Sequence, residues 1–145
     1  MRLLHLFMAS ILMIPVFFTL QAQQDEHIIV ITQLDTQLNN VNKTMLRNLY
    51  MGNLGLGDIT PIALAPGELA RSVFNVRVVG LTESRIQAYW AQMRFSGRKQ
   101  RPIEASDPAE AILMVQSTVN TIAYVPAGTV LPKDVKIIFT SQTPQ

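Results

Sequence analysis

The chain has 145 residues, enough for one domain with a sizeable core, and contains no cysteine, which removes disulfides, thiolate metal sites and a cysteine nucleophile. Its only histidines, His5 and His27, leave no imidazole cluster for a metal centre or a catalytic triad. Only 15% of the residues are charged and the net charge is +2, a surplus too small to mark a nucleic-acid binder.

Residues Met1 to Gln24 read as an export leader. Arg2 supplies the positive start, Leu3 to Leu20 is an apolar run broken by His5 and Pro15, and Ala22 offers a small residue for cleavage before a polar exit. Residues 1–22 are therefore expected to form a signal peptide and residues 23–145 the mature domain. An uncleaved anchor is the rival reading, because the run approaches the ~18 residues that span a bilayer. No cysteine follows the leader, so a lipid anchor is excluded. The mature chain is expected to work outside the cytoplasm and to be held by packing alone.

His27 to Thr32 is continuously apolar and β-branched, the pattern of a strand buried on both faces. A short helix follows, capped by Asn42, with Met45, Leu46, Leu49 and Tyr50 on its apolar face and Gly52 at its end. The GNLGLG run from Gly52 to Gly57 follows a helix rather than a strand and lacks Lys-Ser/Thr, so it is not a nucleotide loop. A second strand is expected over Ile59–Ala65. Beyond Pro66-Gly67, two helices closed by Gly80 and Gly97 are predicted. In the first, Ala70, Val73, Phe74 and Arg77 share one stripe. In the second, Ile86, Tyr89, Trp90 and Met93 do, with Arg85, Gln87 and Gln92 left for solvent and Thr82 as cap. The Tyr89–Trp90 pair reads either as core packing or as an aromatic ligand wall.

The loop to Ala105 is basic. Asp107-Pro108-Ala109-Glu110 then opens a helix with a cap, a proline at the first helical position and a capping-box glutamate. Ala109, Ile112, Leu113 and Gln116 are expected on its core face. Thr121–Val125 and Val135–Phe139 read as the last strands. Alternating strands and helices predict an α/β domain with a mixed sheet and helices packed on it.

Three features bear on function. The passage from strand through Pro66-Gly67 to a helix start presents backbone N–H groups, a generic anion seat. Arg94, Arg98, Lys99 and Arg101 crowd the end of the Trp90 helix. There they complement the helix dipole, at about 0.3–1 kcal/mol each, or form a docking patch for an acidic partner or an anionic membrane. No aromatic interleaving suits them to single-stranded nucleic acid. Asp35, Asp58 and Glu104 are isolated carboxylates, and no nucleophile elbow is present, so neither an enzyme nor a cofactor is expected.

The stretch from Ala70 to Pro102, with its Tyr89-Trp90 pair and Phe95-Ser96-Gly97, followed by Ser106 to Val125 ending in Ile122-Ala123-Tyr124-Val125, resembles the PstS-like phosphate-binding proteins of the periplasm, and more closely their short, single-lobe relatives. The resemblance implies a single lobe of periplasmic binding protein type II-like architecture. It also implies a solute-binding module for phosphate or another small oxyanion, with a membrane permease, sensor or envelope protein beside it. The family's Ser-Gly-Thr turn falls on Glu68, Leu69 and Ala70, and its arginine on Leu64, so none of the four is kept. Gly67 remains, and Arg71 matches an arginine common in the short relatives. The ligand crevice is accordingly expected from Thr32 and Gln33 after the first strand and from Gly67, Glu68, Leu69, Ala70 and Arg71. In it the N–H groups of Leu69 and Ala70 and the charge of Arg71 would seat the anion. The alternative is a ligand-free accessory protein docking through Arg94, Arg98, Lys99 and Arg101.

Overall fold

Six consecutive residues, Ile28–Gln33, form β1 at an interior position of a five-stranded sheet, which is why their apolar run lacks alternation. The computed structural model describes residues 27–38, 40–53, 56–97 and 99–141. The leader reading and Arg98 lie outside the described residues. The chain continues through α1 (Lys43–Tyr50), β2 (Thr60–Leu64), α2 (Leu69–Phe74), a π-helical segment (Asn75–Val79), α3 (Glu83–Met93), β3 (Ile103–Ala105), α4 (Pro108–Ser117), β4 (Thr121–Pro126) and β5 (Val135–Thr140). The sheet order is β3-β2-β4-β1-β5. β2 runs parallel to β3 and β4, while β1 runs antiparallel to both β4 and β5.

Both faces of the sheet are covered. Tyr124 of β4 stacks on Phe74 of α2, with ring centroids 4.0 Å apart and planes 8° from parallel, and it also meets Tyr50 of α1 at 5.6 Å. Thr121, Ala123 and Val125 point the other way, are equally buried, and lie on the side where α4 packs. One helical layer is thus α1, α2 and α3, and the other is α4.

Local chemistry sets most of the boundaries. Asn42 Oδ1 accepts the Met45 N–H at 3.0 Å, and Asp107 Oδ1 accepts that of Glu110 at 2.8 Å. The Glu110 carboxylate reaches one residue further back than a capping box would place it, accepting the N–H and hydroxyl of Ser106. Those bonds hold it below the usual carboxylate range. Thr82 has the extended backbone of a cap, but its hydroxyl pairs with Ser84 instead. Gly80 closes the π-helical segment at φ 76°.

Three expectations about faces and strands need correction. In α4 the buried side is Ala111, Ile112 and Val115, and Leu113 is exposed. The second half of the basic loop is a strand, β3, too short and too exposed to show a period. The buried side of the first central helix is wider than the expected stripe: Ala70 and Phe74 are buried and Val73 packs against the core, but Arg71, Asn75, Val78 and Val79 are buried as well.

Two substitutions test these local causes. Asp107→Ala is expected to cost about 1 kcal/mol in urea unfolding. Gly52→Ala is expected to cost more, because Gly52 sits at φ 74° and an added Cβ would lie 2.8 Å from the Trp90 ring; a loss under about 0.5 kcal/mol would contradict the close approach.

Candidate functional site

The site begins where two parallel strands part. β2 and β4 pair from Thr60/Thr121 to Ile62/Ala123 and then separate. Backbone groups alternate sides along a strand. Since the Ala65 N–H bonds Ala105 on the β3 side, those of Ile62 and Leu64 face the gap left by β4. Buried peptide groups must find partners, and side chains supply them here. Tyr50 Oη donates to the Ile62 carbonyl at 3.0 Å, the Leu64 N–H donates to Tyr124 Oη at 3.1 Å, and Arg71 Nη1 donates to the Leu64 carbonyl at 2.5 Å. Burial pushes both tyrosine hydroxyls well above their usual pKa, so they stay neutral.

Arg71 is the centre of this arrangement. Its side chain is 7% exposed, and its fork closes on Glu83 of α3: Nε donates to Oε2 at 2.8 Å and Nη2 to Oε1 at 2.7 Å. Nη1 also reaches Glu104 of β3 at 3.0 Å. Glu83 in turn accepts from the side-chain amides of Asn75 and Gln87, both at 2.7 Å, so Gln87 is not the solvent-facing residue its helix position predicts. One guanidinium therefore ties α2, α3, β2 and β3 together. The bond from Arg71 holds Glu83 below the usual carboxylate range, opposed by partial burial and helped by Gln87. For Arg71, burial works against the charge, but the bonds to Glu83 and Glu104 outweigh it and raise its pKa.

Above the gap lies a cavity of about 190 Å³. Along one cross-strand row, Glu104 of β3 lies beside Ala63 of β2, and Tyr124 of β4 lies one residue beyond the last β2–β4 pair, Ile62/Ala123. Ala63, small among larger neighbours, leaves the space open. Tyr50, Phe74 and Trp90 form walls, and Arg101 and Glu104 stand at the solvent side.

The sequence-predicted residues do not all meet. Thr32 lies level with Ile122 and hence with Pro61, at the start of β2, whereas Gly67 to Arg71 follow its end. β1 runs opposite to β2, so the end of one strand lies at the start of the other, and three or more residues at about 3.3 Å each separate the two halves of the expected crevice. Thr32 is fully buried, its hydroxyl donating to the Thr121 carbonyl at 2.8 Å, and Gln33 donates to the Gln116 carbonyl at 2.8 Å. Gly67 takes a left-handed turn at φ 101°, Glu68 caps α2 through its backbone only, Leu69 is exposed and Ala70 buried. Of the basic loop, Arg94 is exposed. Lys99 Nζ is bonded to Asn53 Oδ1 and Tyr89 Oη, both at 2.7 Å, and Arg101 is bonded to Gln87 and lies 6.0 Å from the Trp90 ring centre. Sequence reasoning missed Glu83 and Glu104 as partners of Arg71. Only the Arg71–Glu83 spacing across a glycine-closed helix pair hinted at it.

The chain matches no protein-family profile and no curated protein. Solved structures do share its fold. An ABC-type phosphate transport receptor from Vibrio cholerae superposes with a TM-score of 0.59 at 14% identity, over 78% of this chain and 45% of that one. A putative phosphate ABC transporter substrate-binding protein with bound phosphate from Clostridium perfringens gives 0.60 at 17%, over 78% and 44%. PstS from Borrelia burgdorferi gives 0.54 at 17%, over 71% and 41%. The fold is that of the periplasmic-binding-protein type found in phosphate-transport receptors, as the Tyr89-Trp90 and Phe95-Ser96-Gly97 block implied. The chain spans less than half the length of these proteins. Among the described residues, no helix is long and apolar enough to cross a membrane, and no group of acidic or histidine side chains could hold a metal.

The ion network makes stability pH-dependent. Glu83 has a depressed folded pKa, so its contribution is full above the unfolded value of about 4.3 and is lost as pH falls through the folded one. Urea unfolding from pH 7 to pH 3 should show this loss, and Glu83→Gln should flatten it. Arg71→Leu is expected to cost about 2–3 kcal/mol at pH 7, below the ~3–5 kcal/mol of a fully buried pair because Glu83 reaches solvent.

Proposed function

We propose that this chain is a non-enzymatic, exported solute-binding module working in the periplasm. The observation that carries the reading is the open cavity over the parting of β2 and β4. It stands beside the carboxyl ends of parallel strands, where open α/β sheets take their ligands. The shared fold with phosphate-transport receptors supports the same class.

For phosphate itself the chain is a weak host. Arg71 is the cation nearest the Gly67 turn in sequence, and three of its four bonded contacts already go to carboxylate oxygens. An incoming oxyanion must displace Glu83 or Glu104 and then lie beside the displaced negative charge, which costs about 3–4 kcal/mol at 4–5 Å in an effective dielectric near 20. Calorimetric titration of the mature domain is expected to show a Kd for phosphate no tighter than about 1 mM. Micromolar binding would overturn this.

A second reading, an accessory protein docking to a permease, sensor or envelope partner through Arg94, Arg98, Lys99 and Arg101, is favoured by one observation. Phe95 stands within that loop, 90% exposed. Loss of partner recovery in an Arg94→Glu, Phe95→Ala variant, with unchanged thermal stability, would support it; full recovery would sink it.

A further inference from the structure

Two residues of the cavity wall each have a polar side-chain atom with no hydrogen-bond partner among the described residues. Trp90 is 4% exposed and Asn75 6% exposed, and both line the cavity. The Asn75 amide nitrogen donates to Glu83, but among the described residues nothing donates to its carbonyl oxygen, and nothing accepts from the Trp90 indole N–H. Among the described residues no fully enclosed side-chain polar atom lacks a partner, so these two atoms keep some accessible surface, and both residues line the cavity. The remaining wall is aromatic or aliphatic: Tyr50, Phe74, Tyr124, and Ala63 at the floor. Arg71 is neutralised by Glu83 behind it and by Glu104 in the wall, and Arg101, bonded to the neutral Gln87, stands at the solvent side.

We propose that this cavity binds a small, uncharged, planar ring compound carrying a hydrogen-bond donor beside an acceptor, with the ligand's donor on Asn75 Oδ1 and its acceptor on the Trp90 indole N–H. The inference rests on the solute-binding reading and assigns its ligand class. Size supports it: a 150 Å³ apolar cavity is known to hold benzene, and about 190 Å³ leaves room for a six-membered ring with small polar substituents. Polarity supports it too. A ring with no polar atoms would leave both protein groups unsatisfied, and an anion would meet the Glu104 carboxylate beside an Arg71 already bound to two carboxylates, with Arg101 reaching it only from the solvent side. Arg101, lying over Trp90 at the solvent side, is placed to cover an occupant.

Trp90 is the sole tryptophan, so it reports occupancy directly. The test is a titration of the ¹⁵N-labelled mature domain, following the single indole N–H resonance, with uracil, phenol and inorganic phosphate as separate probes. Uracil and phenol should move the resonance saturably, uracil more tightly because it presents donor and acceptor side by side, and phosphate should leave it in place. Ala63→Leu, which fills the floor without touching either polar atom, should weaken the uracil response about tenfold or more while circular dichroism stays unchanged. A response to phosphate alone would overturn the ligand class and leave the solute-binding reading standing. Silence toward all three probes would overturn the proposed ligand. Silence combined with partner recovery that depends on Arg94 and Phe95 would remove the solute-binding reading as well. An unaltered uracil response in Ala63→Leu would show that binding occurs elsewhere and defeat the assignment.

Discussion

The parting of β2 from β4 is the constraint from which the rest of the structure follows. Beyond Ile62 the ladder stops, yet the strand stays inside the protein, so the Ile62 carbonyl and both peptide groups of Leu64 need partners that β4 no longer supplies. A hydroxyl from α1, a hydroxyl from β4 itself and a guanidinium from α2 provide them. Each patch recruits an element: Tyr50 draws α1 over the sheet, and Arg71 draws α2. The charge of Arg71 then requires Glu83 and Glu104, which bring in α3 and β3. The buried ion network is thus less an ornament on the core than the means by which a split sheet is closed at one end.

That arrangement separates this chain chemically from the phosphate-binding proteins whose fold it shares. A phosphate seat needs a cation or several donors left unspent in the folded protein, and Arg71 is spent. Buried ion pairs stabilise modestly at best, because desolvation offsets the attraction. Their stronger effect here is geometric. The bidentate grip of Arg71 on Glu83 fixes the distance between α2 and α3, and with it the cavity between them. The side chains beside the end of β2, rather than the shared fold, set the chemistry of that cavity.

Much of this was legible in the residues themselves. The caps at Asn42 and Asp107, the doubly buried β1, the left-handed Gly80 and the alternation that makes a mixed α/β sheet all depend on neighbours in sequence. What failed depends on neighbours in space. The direction of β1 relative to β2 separates Thr32 and Gln33 from the Gly67 turn, and no local pattern encodes strand direction. Arg71 reads as a surface or ligand charge because arginine seldom lies buried, and its partners stand 12 and 33 residues away. β3 was missed because three residues, two of them exposed, carry no periodicity. The buried face of the first central helix is wider than its apolar stripe because it takes in Arg71 and Asn75, polar residues that a hydropathy pattern assigns to solvent.

Arg71 is held from within by Glu83, and a double-mutant cycle tests that most directly. Unfolding free energies of wild type, Arg71→Met, Glu83→Met and the double variant would be compared at pH 7 in low salt. An internally closed pair should give a coupling of about 1–3 kcal/mol, with the double variant more stable than the sum of the single losses predicts. Additive losses, with coupling below about 0.3 kcal/mol, would mean that the guanidinium and the carboxylate do not hold one another, and the closed network described here would be wrong.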